Sequence, residues 1–388
     1  MRAELKLAIL STVVTAVACF SAGEIWMRFS KPHMTPDTER AASLEYEVSL
    51  FARHVLPQKP QTTRSSDGTV QYDINALGYR GRSFAVPKPK GVIRIIVLGG
   101  SAAFDMNATE GQDWPHLVEE HLRQAGHDHV EVINAGTPGH ATWDVLGRLY
   151  SEIWMLQPDY VLVYEEWNDI KDFGWLSPSR SLLRGFRPPP GQPTRDGVMV
   201  ENPFIYYSGP VDRLLCHSQL YTRLRRRYWW WRLGQIGLEG LVTGPSESMG
   251  TEDKYPDTYE PWGPRQYQLN LRLIAAAARD VGATPIFLTQ ARLVTGSNDE
   301  GERKRIRFDY VKLSYEGLVR AFADCDRAIH DAAASEGVSV LDVSRALGGR
   351  SEFFTDHVHT SPAGSRAIAG TVGDFLVERL SGTSASPQ

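Results

Sequence analysis

The chain is short of cysteine and carries no surplus of either charge, and both shortages exclude functions. Its cysteines are Cys19, Cys216 and Cys325. Three make no disulfide framework, and without a Cys-x-x-Cys pair there is no zinc or dithiol redox motif. One Cys216–Cys325 bridge stays open to the sequence, against the plainer reading of buried free thiols. Lys and Arg number 42 against 46 Asp and Glu, a net charge of −4, so no basic excess points to nucleic acid. Internal repeats are absent, as are collagen-like, disordered and multi-span membrane compositions. There is no Gly-x-Ser-x-Gly, which argues against the α/β-hydrolase fold proper. What remains is ordinary for a chain with a real core: 388 residues, 42% hydrophobic and 23% charged, enough for two domains or one large domain with insertions.

One long apolar run exists, Leu7 to Gly23, extended through Ile25, Trp26 and Met27 to the roughly 20 residues that a membrane helix needs. Arg2 and Lys6 make the leading end cationic and predict that it stays cytoplasmic. Trp26, Arg28 and Lys31 suit an interfacial anchor. The competing readings are a signal peptide cleaved near Ala18 or Ala22, a lipoprotein signal at Cys19, and a buried core helix. An uncleaved anchor over residues 1–31 is the expectation, with the rest exported.

Residues 32–90 are polar and broken by Pro57, Pro60, Pro87 and Pro89, and read as a linker and small irregular cap. From 91 to 380 the pattern is that of one α/β domain. Val92–Leu98 is a near-continuous β-branched run, the mark of a strand buried on both faces. Short runs of the same kind follow at Val130–Ile133, Tyr160–Tyr164, Thr284–Leu288 and Val338–Val343. Helical patterns separate or follow them at Trp114–Ala125, Thr142–Leu156, Gln266–Val281, Tyr315–Ala334 and Pro362–Leu380. Five buried strands alternating with helices predict a three-layer, doubly wound parallel sheet. Between about 173 and 264 the alternation fails, and Arg187-Pro188-Pro189-Pro190 marks an insertion; residues 381–388 read as a disordered tail.

In open α/β sheets ligands bind beyond the carboxyl ends of the strands. The first strand runs into Gly99-Gly100-Ser101, a tight turn that leaves a hydroxyl exposed at a helix start. The second ends in Asn134-Ala135-Gly136-Thr137-Pro138-Gly139, where backbone can approach a ligand. The third ends in Glu165-Glu166-Trp167-Asn168-Asp169, with a side-chain amide donor. The fifth leads to Asp356-His357-Val358-His359, with Ser361-Pro362 opening the last helix. Serine, backbone donor, amide and Asp/His pair are the parts for acyl transfer. Each also has a plainer reading: a phosphate-cradling turn at Gly-Gly-Ser, a helix cap at Asn-Asp, a metal site on His357 and His359.

Taken in order, these four blocks resemble the SGNH (GDSL-type) hydrolase family over about residues 92–380. Asn75-Ala76-Leu77-Gly78-Tyr79-Arg80-Gly81 and Asp113-Trp114-Pro115 look like a membrane-anchored bacterial branch of it. The resemblance implies a flavodoxin-like fold and a serine esterase with Ser101 as nucleophile, His359 as base and Asp356 as its orienter. The Ser101 and Gly139 N–H groups and the Asn168 amide would form the oxyanion hole, with no metal or organic cofactor. The sequence departs from the family at Gly100, where Asp is usual, and at Glu166, where glycine is usual. A carboxylate at the second place opposes an oxyanion unless it points away. The resemblance further implies an acyl-ester substrate on glycan or lipid, no nucleic acid, and a single-pass inner-membrane protein with its catalytic domain on the periplasmic side. Deacylation, acetyl groups foremost, is expected on an envelope or extracellular glycan. Lipase-type hydrolysis, acyl transfer to a sugar hydroxyl and a non-catalytic scaffold are the alternatives.

Within the inserted segment, Leu224-Arg225-Arg226-Arg227-Tyr228-Trp229-Trp230-Trp231-Arg232-Leu233 is the most unusual stretch. If helical, it places Leu220, Leu224, Tyr228 and Trp231 on one stripe, with Arg223, Arg227 and Trp230 beside it. Docking of that stripe on the domain is the first expectation; a membrane-surface contact involving Arg223–Arg232 and a substrate platform are the others.

Overall fold

A computed structural model describes residues 2–30, 44, 46–47, 49–64, 69–174, 176–178, 209–235 and 254–383. Residues 31–43, 45, 48 and 65–68 of the polar stretch, the Pro-rich Arg187–Pro190 and the tail from 384 lie outside the described residues. The chain forms two compact units: Met1–Leu44 with Thr63–Asp67 and Pro189–Thr243, and Glu45–Thr62 with Gly68–Pro188 and Gly244–Gln388.

The larger unit is built on five parallel strands: β1 (Ile93–Gly99), β2 (Val130–Asn134), β3 (Tyr160–Tyr164), β4 (Thr284–Leu288) and β5 (Ser339–Leu341). Their order across the sheet is β2-β1-β3-β4-β5, the flavodoxin-like order with its switch point beside β1. Register is fixed along β1, where Val97 lies opposite Asn134 on one side and Leu162 on the other. Side chains alternate across the sheet. Ile96, Leu98, Val161, Val163 and Phe287 face one apolar layer, and Ile95, Val97, Leu162, Ile286 and Leu288 face the other. This double burial explains why the strands read as continuous apolar runs.

The first layer is made by α4 (Thr142–Ser151), α8 (Trp262–Asp280) and α9 (Tyr315–Glu336). The second is made by α3 (Trp114–Gln124) and α10 (Pro362–Thr383). Two short helices, α2 (Ser101–Phe104) and α5 (Trp167–Phe173), leave the carboxyl ends of β1 and β3. The helical pattern over Thr142–Leu156 is broken in the structure: α4 stops at Ser151, and Ile153–Leu156 tightens into a 3₁₀ turn before left-handed Gln157. Pro158 follows, and it disfavours helix at the residue before it. At the other end α10 continues to Thr383, so the first residues expected in the tail are helical.

Residues read from the sequence as a cap bond directly to this unit. Arg80 pairs with Asn134 of β2 as an isolated bridge. The peptide N–H of Arg53 donates to Asp144 of α4. A buried backbone needs such partners, and the sheet edge and helix start supply them.

The smaller unit contains α1 (Arg2–Ser30), α6 (Pro210–Leu215) and α7 (Gln219–Gln235). Within α1, Glu4–Ser30 is a 27-residue stretch of mean hydropathy 1.9, long and apolar enough to cross a membrane, with none of its most apolar window buried.

Candidate active site

The carboxyl ends of β1, β2 and β3 and the loop before α10 bring the sequence-assigned residues together. Ser101 opens α2, and its Oγ lies 2.7 Å from His359 Nε2. His359 Nδ1 lies 2.6 Å from Asp356 Oδ2. The other carboxylate oxygen, Oδ1, accepts the peptide N–H groups of Val358 at 3.0 Å and His359 at 2.9 Å. The Asp-x-x-His spacing thus closes its own turn, which the Phe354–Thr360 bridge staples at its base. With Nδ1–H directed at Asp356, Nε2 presents a lone pair to the serine hydroxyl.

Electrostatics follow the same line. Burial alone would raise the Asp356 carboxyl, but the charges of His357 and His359 and the hydrogen bonds from His359 hold it well below the carboxylate range. Burial of the His359 ring opposes its protonation, and the Asp356 charge and hydrogen bond outweigh it, lifting its pKa above the ordinary histidine value. His357 is buried against Trp167, ring centroids 4.0 Å apart, and burial pushes its pKa down to about 4 despite Asp356. Asp356, His357 and His359 offer metal-ligating atoms within 4.8 Å of one another. Both ring nitrogens of His359 are already engaged, however, so a cation there would have to displace Ser101 or Asp356.

The three donors assigned to the oxyanion hole stand in different states. Among the described residues, the N–H groups of Ser101 and Gly139 make no hydrogen bond. Gly139 has φ +87, which a Cβ-bearing residue rarely adopts, and a Cβ there would meet the His54 ring. The Asn168 amide is held from both ends: its Nδ2 donates to the His140 carbonyl at 2.8 Å, and its Oδ1 accepts from Tyr310 Oη at 2.7 Å. Its peptide N–H donates to Glu165 Oε1, and its side chain also bonds the Glu165 carboxyl.

The two departures from the family pattern have separate outcomes. The Glu166 carboxylate is engaged elsewhere: it accepts from the Gln290 N–H at 2.7 Å and pairs with Arg292 at 3.1 Å. Its neighbour Glu165 takes the place that a side chain at 100 would need. Glu165 Oε2 accepts from the Gly100 N–H at 2.7 Å, and a Cβ on Gly100 would lie 2.4 Å from that oxygen and 2.3 Å from Asn168 Nδ2. Glycine at 100 and glutamate at 165 therefore fit each other. Burial, with help from the Asp169 charge, pushes the Glu165 pKa up to about 8, so the group is largely uncharged at neutral pH.

Four supporting residues were not singled out from the sequence. Tyr310 sits 142 positions beyond Asn168 in a single-turn helix, Phe308–Val311, with no motif around it. Asp105, at φ 58, accepts from Thr360 Oγ1 at 2.6 Å and from the Trp114 N–H at 2.9 Å, tying the serine turn to the histidine loop. Its position four residues after Ser101 was the one available signal. Arg53 donates to the Gly139 carbonyl and pairs with Asp172 at 3.2 Å, while a ring nitrogen of His54 lies 2.8 Å from the Pro138 carbonyl oxygen. Both lie in a polar stretch whose role only folding reveals. The two family-like upstream motifs also join here: Arg80 donates to the carbonyls of Phe104, Asp105 and Ala108, and lies 3.6 Å from Asp113.

By sequence, the chain matches no protein-family profile and no curated protein. Among solved structures it is similar to a lipase/acylhydrolase from Enterococcus faecalis, at 16% identity and TM-score 0.42 over 74% of this chain and 97% of that one. It is similar to a GDSL-like lipase from Bacteroides thetaiotaomicron, at 11% identity and TM-score 0.39 over 76% and 93%. A catalytic mutant of an acetylxylan esterase from Geobacillus stearothermophilus is similar at 12% identity and TM-score 0.38 over 72% and 92%.

Proposed function

We propose that the chain is a serine ester hydrolase of the SGNH type, held at a membrane by α1, that removes an acyl group, acetyl foremost, from an envelope or extracellular glycan. The observation that carries the activity is the hydrogen-bonded run Asp356–His359–Ser101, with the Ser101 and Gly139 N–H groups unengaged. Ser101 Oγ attacks the ester carbonyl while His359 Nε2 takes its proton and then passes it to the departing alcohol. Asp356 keeps Nδ1–H in place and stabilises the imidazolium. The negative charge that forms on the carbonyl oxygen is met by the Ser101 and Gly139 N–H groups and the Asn168 amide. Water, activated by the same histidine, then releases the acyl group from Ser101. The membrane reading rests on the length, hydropathy and exposure of Glu4–Ser30, and the glycan reading on that tether together with the family resemblance.

The test is a fluorophosphonate probe on the full chain, followed by peptide mapping. A stoichiometric adduct on Ser101 that Ser101→Ala and His359→Ala both abolish is the expected result. Folded protein that takes no adduct would remove the activity and bring the scaffold reading forward. Hydrolysis of p-nitrophenyl esters then ranks short against long acyl chains, and acetylated glycans follow. Product analysis with an added sugar acceptor separates hydrolysis from acyl transfer.

A further inference from the structure

Helix α7 is turned inside out. It buries Thr222 and Arg225 and exposes Leu224, Tyr228 and Trp231 to 56%, 52% and 59%. At 3.6 residues per turn, Leu220, Leu224, Tyr228 and Trp231 fall within an arc of roughly 80°, a single stripe along the helix. Within the smaller unit the helix is held by its polar side. Arg225 pairs with Asp212 of α6 through Nε at 2.7 Å and Nη2 at 3.2 Å, and Tyr221 Oη donates to the same carboxylate at 2.5 Å. That clamp closes an α6–α7 hairpin, and α6 in turn exposes Val211 and Leu214.

The start of α7 is fixed to the far end of α1. The Glu24 carboxylate accepts from the Ser218 hydroxyl at 2.8 Å and from the peptide N–H groups of Gln219 at 2.9 Å and Leu220 at 2.8 Å. Arg28 donates to the His217 carbonyl, and a Cβ on Gly23 would touch Leu220. On the last three turns of α1 only Gly23, Glu24 and Met27 are partly covered, while Phe20, Ile25 and Trp26 are exposed. Helix α7 therefore meets α1 at its end and does not run back along its apolar length.

We propose that α7 lies in the surface of a phospholipid bilayer, next to the point where α1 enters it, with Leu224, Tyr228 and Trp231 among the acyl chains. This rests on the reading of α1 as a membrane anchor. Continuity makes the bilayer the occupant: if the apolar part of α1 is in lipid, Glu24 stands at its boundary, and a helix starting from Glu24 starts at the surface. Its charge fits as well. Arg223 and Arg227 flank the stripe, and there is no acidic residue between Gln219 and Gln235, which suits anionic headgroups, and Trp and Tyr are side chains of the interfacial region.

The experiment uses the full chain in vesicles of phosphatidylethanolamine and phosphatidylglycerol, with photoreactive benzoylphenylalanine replacing one residue at a time. Trp231→benzoylphenylalanine and Tyr228→benzoylphenylalanine are expected to give phospholipid adducts by mass, at least ~10-fold above Lys304→benzoylphenylalanine on the larger unit. Val13→benzoylphenylalanine reports the anchor by itself. Lipid adducts at 13 but not at 228 or 231 would overturn the proposal and leave the anchor standing. A protein crosslink at 231, to a second copy or another chain, would also overturn it. No lipid adduct at 13 would overturn the anchor reading and this proposal with it.

Discussion

Glu165 and Glu166 are adjacent acids at the end of one strand, and the structure gives them opposite surroundings. Glu166 is spent on Gln290 and Arg292, whereas Glu165 bonds Gly100 and Asn168 beside the serine. Activity should then depend on pH through two groups. In the proposed mechanism His359 must be neutral to accept the serine proton, and its pKa is raised, so kcat/KM should fall as pH drops through a midpoint above the ordinary histidine value of 6.5. Glu165, with a pKa pushed up to about 8, is uncharged below that value and anionic above it. Its ionisation would set a negative charge next to the proposed oxyanion site, so a second limb should descend near pH 8. Glu165→Gln should keep the acidic limb and lose the alkaline one; a wild-type profile flat through that range would refute the assignment. Asn168→Ala removes the proposed oxyanion donor and should lower kcat by about 10²–10³, measured with a short-chain ester. Tyr310→Phe leaves the amide in place but frees one end of it, and a loss of about tenfold in kcat at unchanged KM is expected. Of these residues Ser101, Gly139 and Asn168 stood out in the sequence in loops after strands, and Asp356 and His359 as an Asp-x-x-His pair. Tyr310 was hidden because its partner is 142 positions away.

At the scale of elements, the serine turn is held from below by a buried guanidinium. Arg80 is 4% exposed and satisfies the carbonyls of Phe104, Asp105 and Ala108, closing the loop that follows α2. Arg80→Ala strands those carbonyls and leaves Asp113 without its charge partner, which should cost about 3–5 kcal/mol in a denaturant titration. Arg80→Lys should recover only part of that loss, because an ammonium cannot span several carbonyls as a planar fork does. The fluorophosphonate labelling rate of Ser101 should fall with both substitutions. The strands and main helices behind this turn were readable from β-branched runs and 3.6-residue periodicity. The break in α4 was not, since the apolar spacing of Ile153, Met155 and Leu156 continues a helical pattern while the local backbone departs from it.

For the whole molecule, the decisive element is α1, an exposed apolar helix on a chain whose larger unit already has two full apolar layers. Its 27-residue span corresponds to roughly 40 Å of helix, more than the roughly 30 Å of a bilayer core. The full chain should stay with the membrane fraction through an alkaline carbonate wash. Val13→Arg combined with Val17→Arg adds about 2.5–3.5 kcal/mol per site at the helix centre and should move the protein to the soluble fraction. Retention of that double variant would show that something other than α1 holds it.

Taken alone, the sequence determined what local chemistry dictates. Double-sided strands, amphipathic helices, the apolar α1 and four post-strand motifs are all written in patterns of a few residues, where steric preference and burial act directly. Tertiary structure decided what depends on distance in the chain: that Glu165 fills the space glycine leaves at 100, that Tyr310 and His140 orient Asn168, and that Arg53 and Arg80 brace the site. Each of these is a fit between segments far apart in sequence, where volume, charge and hydrogen-bonding capacity must match at one point in space. No window of residues along the chain contains both halves of such a match.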